Sequence, residues 1–189
     1  LNVKADNRAI VIIGCEKTSA NLTRFVVKDC FYGIWDEAKT CSVIIEAMLK
    51  YPKSKVFIEK EGGGETLSRL LNNEIVLVNE RLKKQAAPLI ANIINLYSAN
   101  RKISKVEKIK ALKPYYNSGH LVFLQNAQGL NQIKKELLAF NPEKPFRKDD
   151  CIDALASCVA SESVSAPPLK DYTPKTNTRI YGGSMSWRI

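Results

Sequence analysis

The chain reads as an α/β fold with a mixed sheet, an antiparallel hairpin first and parallel strands after it, and helices packed on the sheet. Two observations point there. Arg8 to Cys15 (RAIVIIGC) and Thr23 to Ile34 (TRFVVKDCFYGI) are rich in β-branched and aromatic residues and are separated by a polar turn, as in a hairpin. Short apolar runs farther on alternate with segments whose apolar residues recur every three or four positions. That strand–helix–strand succession implies parallel pairing beside the hairpin.

The elements follow in order. From Asp36 a helical pattern runs to about Lys50, with Val43, Ile44, Ala47 and Met48 as its apolar stripe, and stops before Pro52. Lys55 to Glu59 reads as a short buried strand. After Gly62, Gly63 and Gly64, Thr66 to Leu71 suggests a helix and Ile75 to Val78 (IVLV) a strand. Pro88 to Ala99 reads as a helix, Leu121 to Leu124 (LVFL) as a strand, and Leu130 to Phe140 as an amphipathic helix. A last helix starts near Lys148. The segment from Ser161 to Ile189 has little apolar periodicity and is expected to be extended. The expected organisation is one domain over residues 1–163 with a tail at 164–189.

Composition narrows the chemistry. With 189 residues, 45% apolar and 25% charged, the chain can bury a real core and is not expected to be disordered. No segment approaches the roughly 20 apolar residues that span a bilayer, so a soluble, intracellular protein without membrane association is expected. The five cysteines have no CxxC or zinc spacing and read as reduced core thiols. His120 is the single histidine, so any hard-metal chemistry must rest on carboxylates. Its place at the start of a strand suggests a structural role. The net charge of +10 makes a polyanionic partner plausible. Arg101, Lys102, Lys105, Lys108, Lys110 and Lys113 crowd one short stretch, which with Lys148 supplies the candidate phosphate contacts; a solvated helix face would look the same.

Acids cluster in Lys148-Asp149-Asp150-Cys151-Ile152-Asp153. At about 100° per residue, Asp149, Asp150 and Asp153 share one side of a helix whose other arc is apolar. Capping and the helix dipole account for Asp149 and in part for Asp150. Asp153 lies a turn farther in, where like charges repel unless something positive is bound. Glu59 ends a buried strand just before three glycines, a place where α/β folds set ligands. Asp6 precedes the hairpin and is a further candidate.

The order of these motifs resembles a known family. Ala5-Asp6-Asn7-Arg8-Ala9-Ile10 entering a hairpin, then Phe57-Ile58-Glu59 with Gly62 to Gly64 and Leu67, then Lys148-Asp149-Asp150 with Asp153-Ala154-Leu155, is similar to the C-terminal nuclease domain of tailed-phage terminase large subunits. Lys105 to Pro114 also looks like that family's basic segment before a late strand. The resemblance implies an RNase H-like fold and a metal-dependent endonuclease that cuts concatemeric viral DNA during packaging. It implies Mg²⁺ or Mn²⁺, two ions, held by Glu59 and by Asp150 and Asp153, with support from Asp6; Asp150 and Asp153 are not ranked. Ions about 3.5–4 Å apart can activate water and stabilise the leaving oxygen without a histidine. The implied partners are double-stranded DNA and, in the full-length protein, an ATPase motor domain, a portal and a small terminase subunit, in the host cytoplasm. The family's first motif begins with an Asp on a strand upstream of Asp6, and the sequence starting at Leu1 has no room for that strand, which is expected to be missing. Two alternatives remain open: another RNase H-like nuclease such as a junction resolvase, and a non-catalytic nucleic-acid-binding module.

Overall fold

The hairpin forms where alternation is strongest. In the computed structural model, which describes residues 7–18, 22–98, 103–144 and 148–160, β1 (Asn7–Lys17) and β2 (Thr23–Ile34) are antiparallel neighbours. Ala9, Val11, Ile13 and Cys15 of β1, two residues apart, all pack on one core, as do Phe25 and Val27 of β2. β5 (Leu121–Phe123) joins β2 in parallel, with Phe25 opposite Leu121 and Val27 opposite Phe123. The sheet is therefore mixed, as expected, in the order β1-β2-β5.

Two compact units emerge. Among the described residues, one comprises Asn7 and Arg8 with Ile34–Ser98; the other comprises Ala9–Gly33 with Ile103–Ala160. The second unit holds the three-stranded sheet and the helices α3 (Lys105–Lys110), α4 (Leu112–Asn117), α5 (Leu130–Ala139) and α6 (Asp150–Ala160). Its core gathers Ile109, Leu112, Leu121, Ile133, Ile152 and Leu155, all buried. Tyr115 sets its ring edge-on to Phe25 and Tyr116 packs near Phe123, so both tyrosines serve packing.

The first unit contains α1 (Glu37–Lys50), β3 (Val56–Glu59), α2 (Gly64–Lys84) and β4 (Ile94–Tyr97). Asp36 caps α1, its carboxylate accepting from the Lys39 amide at 2.8 Å. β3 and β4 pair in parallel, Glu59 opposite Tyr97.

Two expected elements differ here. Ile75 to Val78 is not a strand: it lies inside the 21-residue α2. Leu67, Leu71, Ile75 and Val78 are buried at spacings of four, four and three, which is one helix face, while Val76 and Leu77 between them are exposed. Over Pro88 to Ser98 the expected helix is not formed either: the chain is irregular up to β4. The Asn79 side chain clasps the Ile90 backbone, donating to its carbonyl and accepting from its amide, both at 3.0 Å. Ala91 N donates to Pro52 O and Val56 N to Ile93 O, so this backbone is satisfied without helical bonds and runs straight into β4.

Among the described residues no helix is long and apolar enough to cross a membrane. All five cysteines are free thiols. Burial pushes the Cys158 thiol up to about 12, with the neighbouring Cys15 adding to it, which leaves it inert as a nucleophile.

Candidate functional site

The acidic helix begins at Asp149, whose carbonyl accepts from Asp153 N at 2.9 Å. A residue in that place usually turns its own oxygen onto the first free amides. Here another helix supplies the cap. Glu136 of α5 directs Oε2 at Cys151 N (2.9 Å) and Ile152 N (3.0 Å), and its Oε1 accepts from Gln132 Nε2 at 2.8 Å. Glu136 is only 3% exposed, so these bonds are shielded from water.

Because Glu136 caps the helix, the Asp149 carboxylate is left for something else. Lys105 Nζ, reaching from α3, lies 2.7 Å from Asp149 Oδ1 and 3.4 Å from Asp153 Oδ2. Lys108 Nζ lies 3.0 Å from Asp153 Oδ1 and donates to Ser157 Oγ at 3.1 Å. The expected exposed acidic face is thus a partly buried cluster, with 11% of the Asp149 side chain and 26% of that of Asp153 accessible. The positive partner that Asp153 needs comes from within the chain.

Both lysines are placed by a local device. Ser104 caps α3 through its hydroxyl, and Glu107 reaches back to the Ser104 amide at 2.8 Å, a complete capping box. Lys105 and Lys108, three apart, share the face toward α6. Burial works against the charge on Lys105, but the hydrogen bond and charge of Asp149 together with Asp153 outweigh it and raise its pKa. The ammonium group is therefore held charged.

One atom of the cluster is left over. Asp153 Oδ1 is buried and accepts no hydrogen bond among the described residues, although the Lys108 charge stands 3.0 Å away. A buried anionic oxygen without a hydrogen-bond donor is a good ligand for a hard cation. Asp149 and Asp153 already converge on one cationic centre, the Lys105 ammonium. Both carboxylates are paired with lysine ammonium groups, so as they stand they offer no free pair of negative charges to a divalent ion of the Mg²⁺ or Mn²⁺ kind. Among the described residues no group of three His, Cys, Asp or Glu side chains comes together as a ready-made ligand cage.

The other sequence candidates are distributed as follows. Asp150 opens α6 beside the pair and is partly exposed. Glu59 ends β3 in the first unit, partly buried, where Lys60 N donates to Tyr97 O at 2.9 Å. Asp6, Arg101 and Lys102 lie outside the described residues. Lys110 on α3 and Lys148 before α6 are exposed, while Lys105 and Lys108 are occupied with the acids. His120 Nδ1 is 2.9 Å from Ser118 Oγ at the turn into β5.

Sequence reasoning passed over two residues. Asp149 reads from the sequence as a cap, and Glu136 belongs to no motif there. Yet Glu136 falls between the buried Ile133 and Leu137 on the apolar stripe of α5, and a carboxylate on a buried stripe implies a buried donor.

The glycines behind Glu59 have a definite role. A Cβ on Gly64 would lie 1.8 Å from the Glu59 carbonyl oxygen and 3.1 Å from Ile58 Cγ2, so only glycine lets α2 start directly beneath the end of β3. Gly64→Ala is expected to cost about 3 kcal/mol or more, because a backbone atom must move. Thermal unfolding measures it, and an unchanged midpoint would refute the close approach.

No family model, no curated protein and no solved structure matches the chain.

Proposed function

We propose that the chain is a metal-dependent endonuclease of RNase H-like fold, acting on double-stranded DNA as the nuclease domain of a viral packaging terminase. What supports this reading is the pair of acids Asp149 and Asp153 at the start of α6 beside the basic helix α3, the acid run on which the family resemblance rests. A divalent cation bound there would polarise a phosphodiester oxygen and lower the pKa of a bound water. The chain's own part is to hold and orient. Glu136 fixes the first turn of α6, from which both acids project, and the capping box fixes α3, from which Lys105 and Lys108 meet them. Asp150, the first residue of α6, is a further candidate ligand. Glu59 and Asp6 keep the ligand roles that the family resemblance implies, to be tested by their own variants.

Lys110 and Lys148 are exposed cations, which suits phosphate contact. Replacing each by alanine is expected to lower the slope of log K against log salt by about 1 per residue. Fluorescence anisotropy of a labelled duplex at several salt concentrations measures this; unchanged slopes would move the DNA surface elsewhere.

A second reading has its own support. Lys105 and Lys108 neutralise the acid pair completely, so the cluster could be a clamp between α3 and α6 in a module that binds nucleic acid without cutting it. Supercoiled plasmid incubated with and without Mn²⁺, with the wild type, Asp153→Ala and Glu59→Ala, separates the two. Mn²⁺-dependent nicking lost in the variants supports the nuclease. A folded, DNA-binding wild type that never nicks supports the clamp. Strong preference for branched over linear DNA would favour a resolvase-type enzyme over a packaging nuclease.

A further inference from the structure

Away from the acids, an open groove of about 480 Å³ runs beside α2, wholly within the first unit. Ser68, Arg69, Asn72 and Asn73 of the helix line one wall, and Asn92 and Ile94, where the chain enters β4, line the other. That volume falls within the range of about 300–1,000 Å³ that small ligands occupy. Both walls are held in place before any ligand arrives. α2 is seated on its buried Leu67, Leu71 and Ile75, and the Asn79 clasp on Ile90 fixes the facing segment. Asn92 Nδ2 donates to Asn72 Oδ1 at 3.0 Å and ties the two together.

The chemistry of the lining selects a ligand. No acidic side chain is among the lining residues, so a cation or an amine finds no counter-charge there. Arg69 is exposed and forms no ion pair among the described residues, which leaves its planar fork of donors for an anionic oxygen such as that of a phosphate. Asn73 is exposed and its amide makes no hydrogen bond among the described residues, so it offers a donor and an acceptor side by side. Asn72 keeps its N–H donors and Asn92 its carbonyl oxygen, because their mutual bond engages only the opposite end of each. An adjoining donor and acceptor of this kind match the N6 and N7 edge of adenine. The half-buried Ile94 supplies an apolar surface on which a ring can lie.

We infer that this groove binds a nucleotide, with its phosphate on Arg69 and an adenine edge on the asparagines. The site shares no residue with the cluster between α3 and α6 and does not rest on the nuclease reading. The same chemistry is carried by a free nucleotide and by a nucleotide within a single strand, and the choice of probes separates them.

The test is a calorimetric titration of the whole chain with deoxyadenosine monophosphate, deoxyadenosine, thymidine monophosphate and a single-stranded deoxyadenosine oligomer. The wild type is expected to bind deoxyadenosine monophosphate about tenfold more tightly than thymidine monophosphate. Arg69→Ala is expected to weaken the monophosphate about tenfold and to leave deoxyadenosine unchanged, whereas Asn73→Ala weakens both alike. Both residues are exposed, and circular dichroism confirms that the variants fold. An oligomer bound more tightly than the monophosphate, with that gain lost in the same variants, identifies a strand as the source; equal affinity identifies the free nucleotide. Equal affinity for the two monophosphates overturns the adenine edge. No binding of any probe by the wild type, or binding that neither variant weakens, overturns the site.

Discussion

Asp153→Ala is expected to abolish Mn²⁺-dependent nicking while the chain stays folded. The separation is predicted by where Asp153 stands. Its carboxylate contributes to stability through Lys105 and Lys108, and because Lys108 is largely buried the loss should cost about 3 kcal/mol, short of unfolding the chain. Asp149 keeps Lys105 and Ser157 keeps Lys108 when it is removed. The methylene it shares with the core is small beside Ile152 and Leu155, which remain. Catalysis has no such reserve. Loss of a group behind a metal ligand already costs about 10–100-fold, so loss of a ligand itself should exceed 100-fold. Plasmid nicking together with circular dichroism checks both halves. Residual metal-dependent nicking near the wild-type rate would sink the role of Asp153.

The largest effect on stability is expected at Glu136, which touches no ligand. Its side chain satisfies two backbone amides at the start of α6 from inside the core, and a carboxylate bond of this kind contributes about 1.5–3 kcal/mol. Glu136→Ala removes both, leaves the amides of Cys151 and Ile152 buried without an acceptor, and opens a gap beside Ile133 and Leu137. A loss of about 4 kcal/mol is expected in urea denaturation. Glu136→Gln keeps one acceptor oxygen and should recover about half. If Glu136→Ala costs less than about 1 kcal/mol, the cap between helices is not what holds α6.

What the sequence discloses follows from how local each signal is. The hairpin, α1, α5 and α6 are legible because alternation and helical spacing are repeated within each of them. α2 was divided because Ile75, Val76 and Val78 favour strands by residue type, while their burial obeys the helix period set by Leu67 and Leu71. β4 was hidden because its pairing with β3 and the grip of Asn79 on Ile90 are decided by residues far off in the chain. At the site, the acids stand out as a run, yet their partners do not. Lys105 meets Asp149 across 44 positions, and although the Ser104–Glu107 capping box marks Lys105 as the start of a helix, no local signal names its partner. Asp149 looked like a cap because the capping rule is written for neighbours, whereas the cap that forms comes 15 residues earlier, from Glu136 to Cys151.

A helix capped by its neighbour cannot form alone. The peptide over residues 148–160 carries its own acids but not the acceptor for its first amides, and a segment of this length is marginal in water. α5 and α6 should therefore open and close as one cooperative unit. In hydrogen exchange the amides of Cys151 and Ile152 would then be released together with those of the middle of α5, at the same free energy, so that the acids of the cluster acquire their positions in a single folding event shared by both helices.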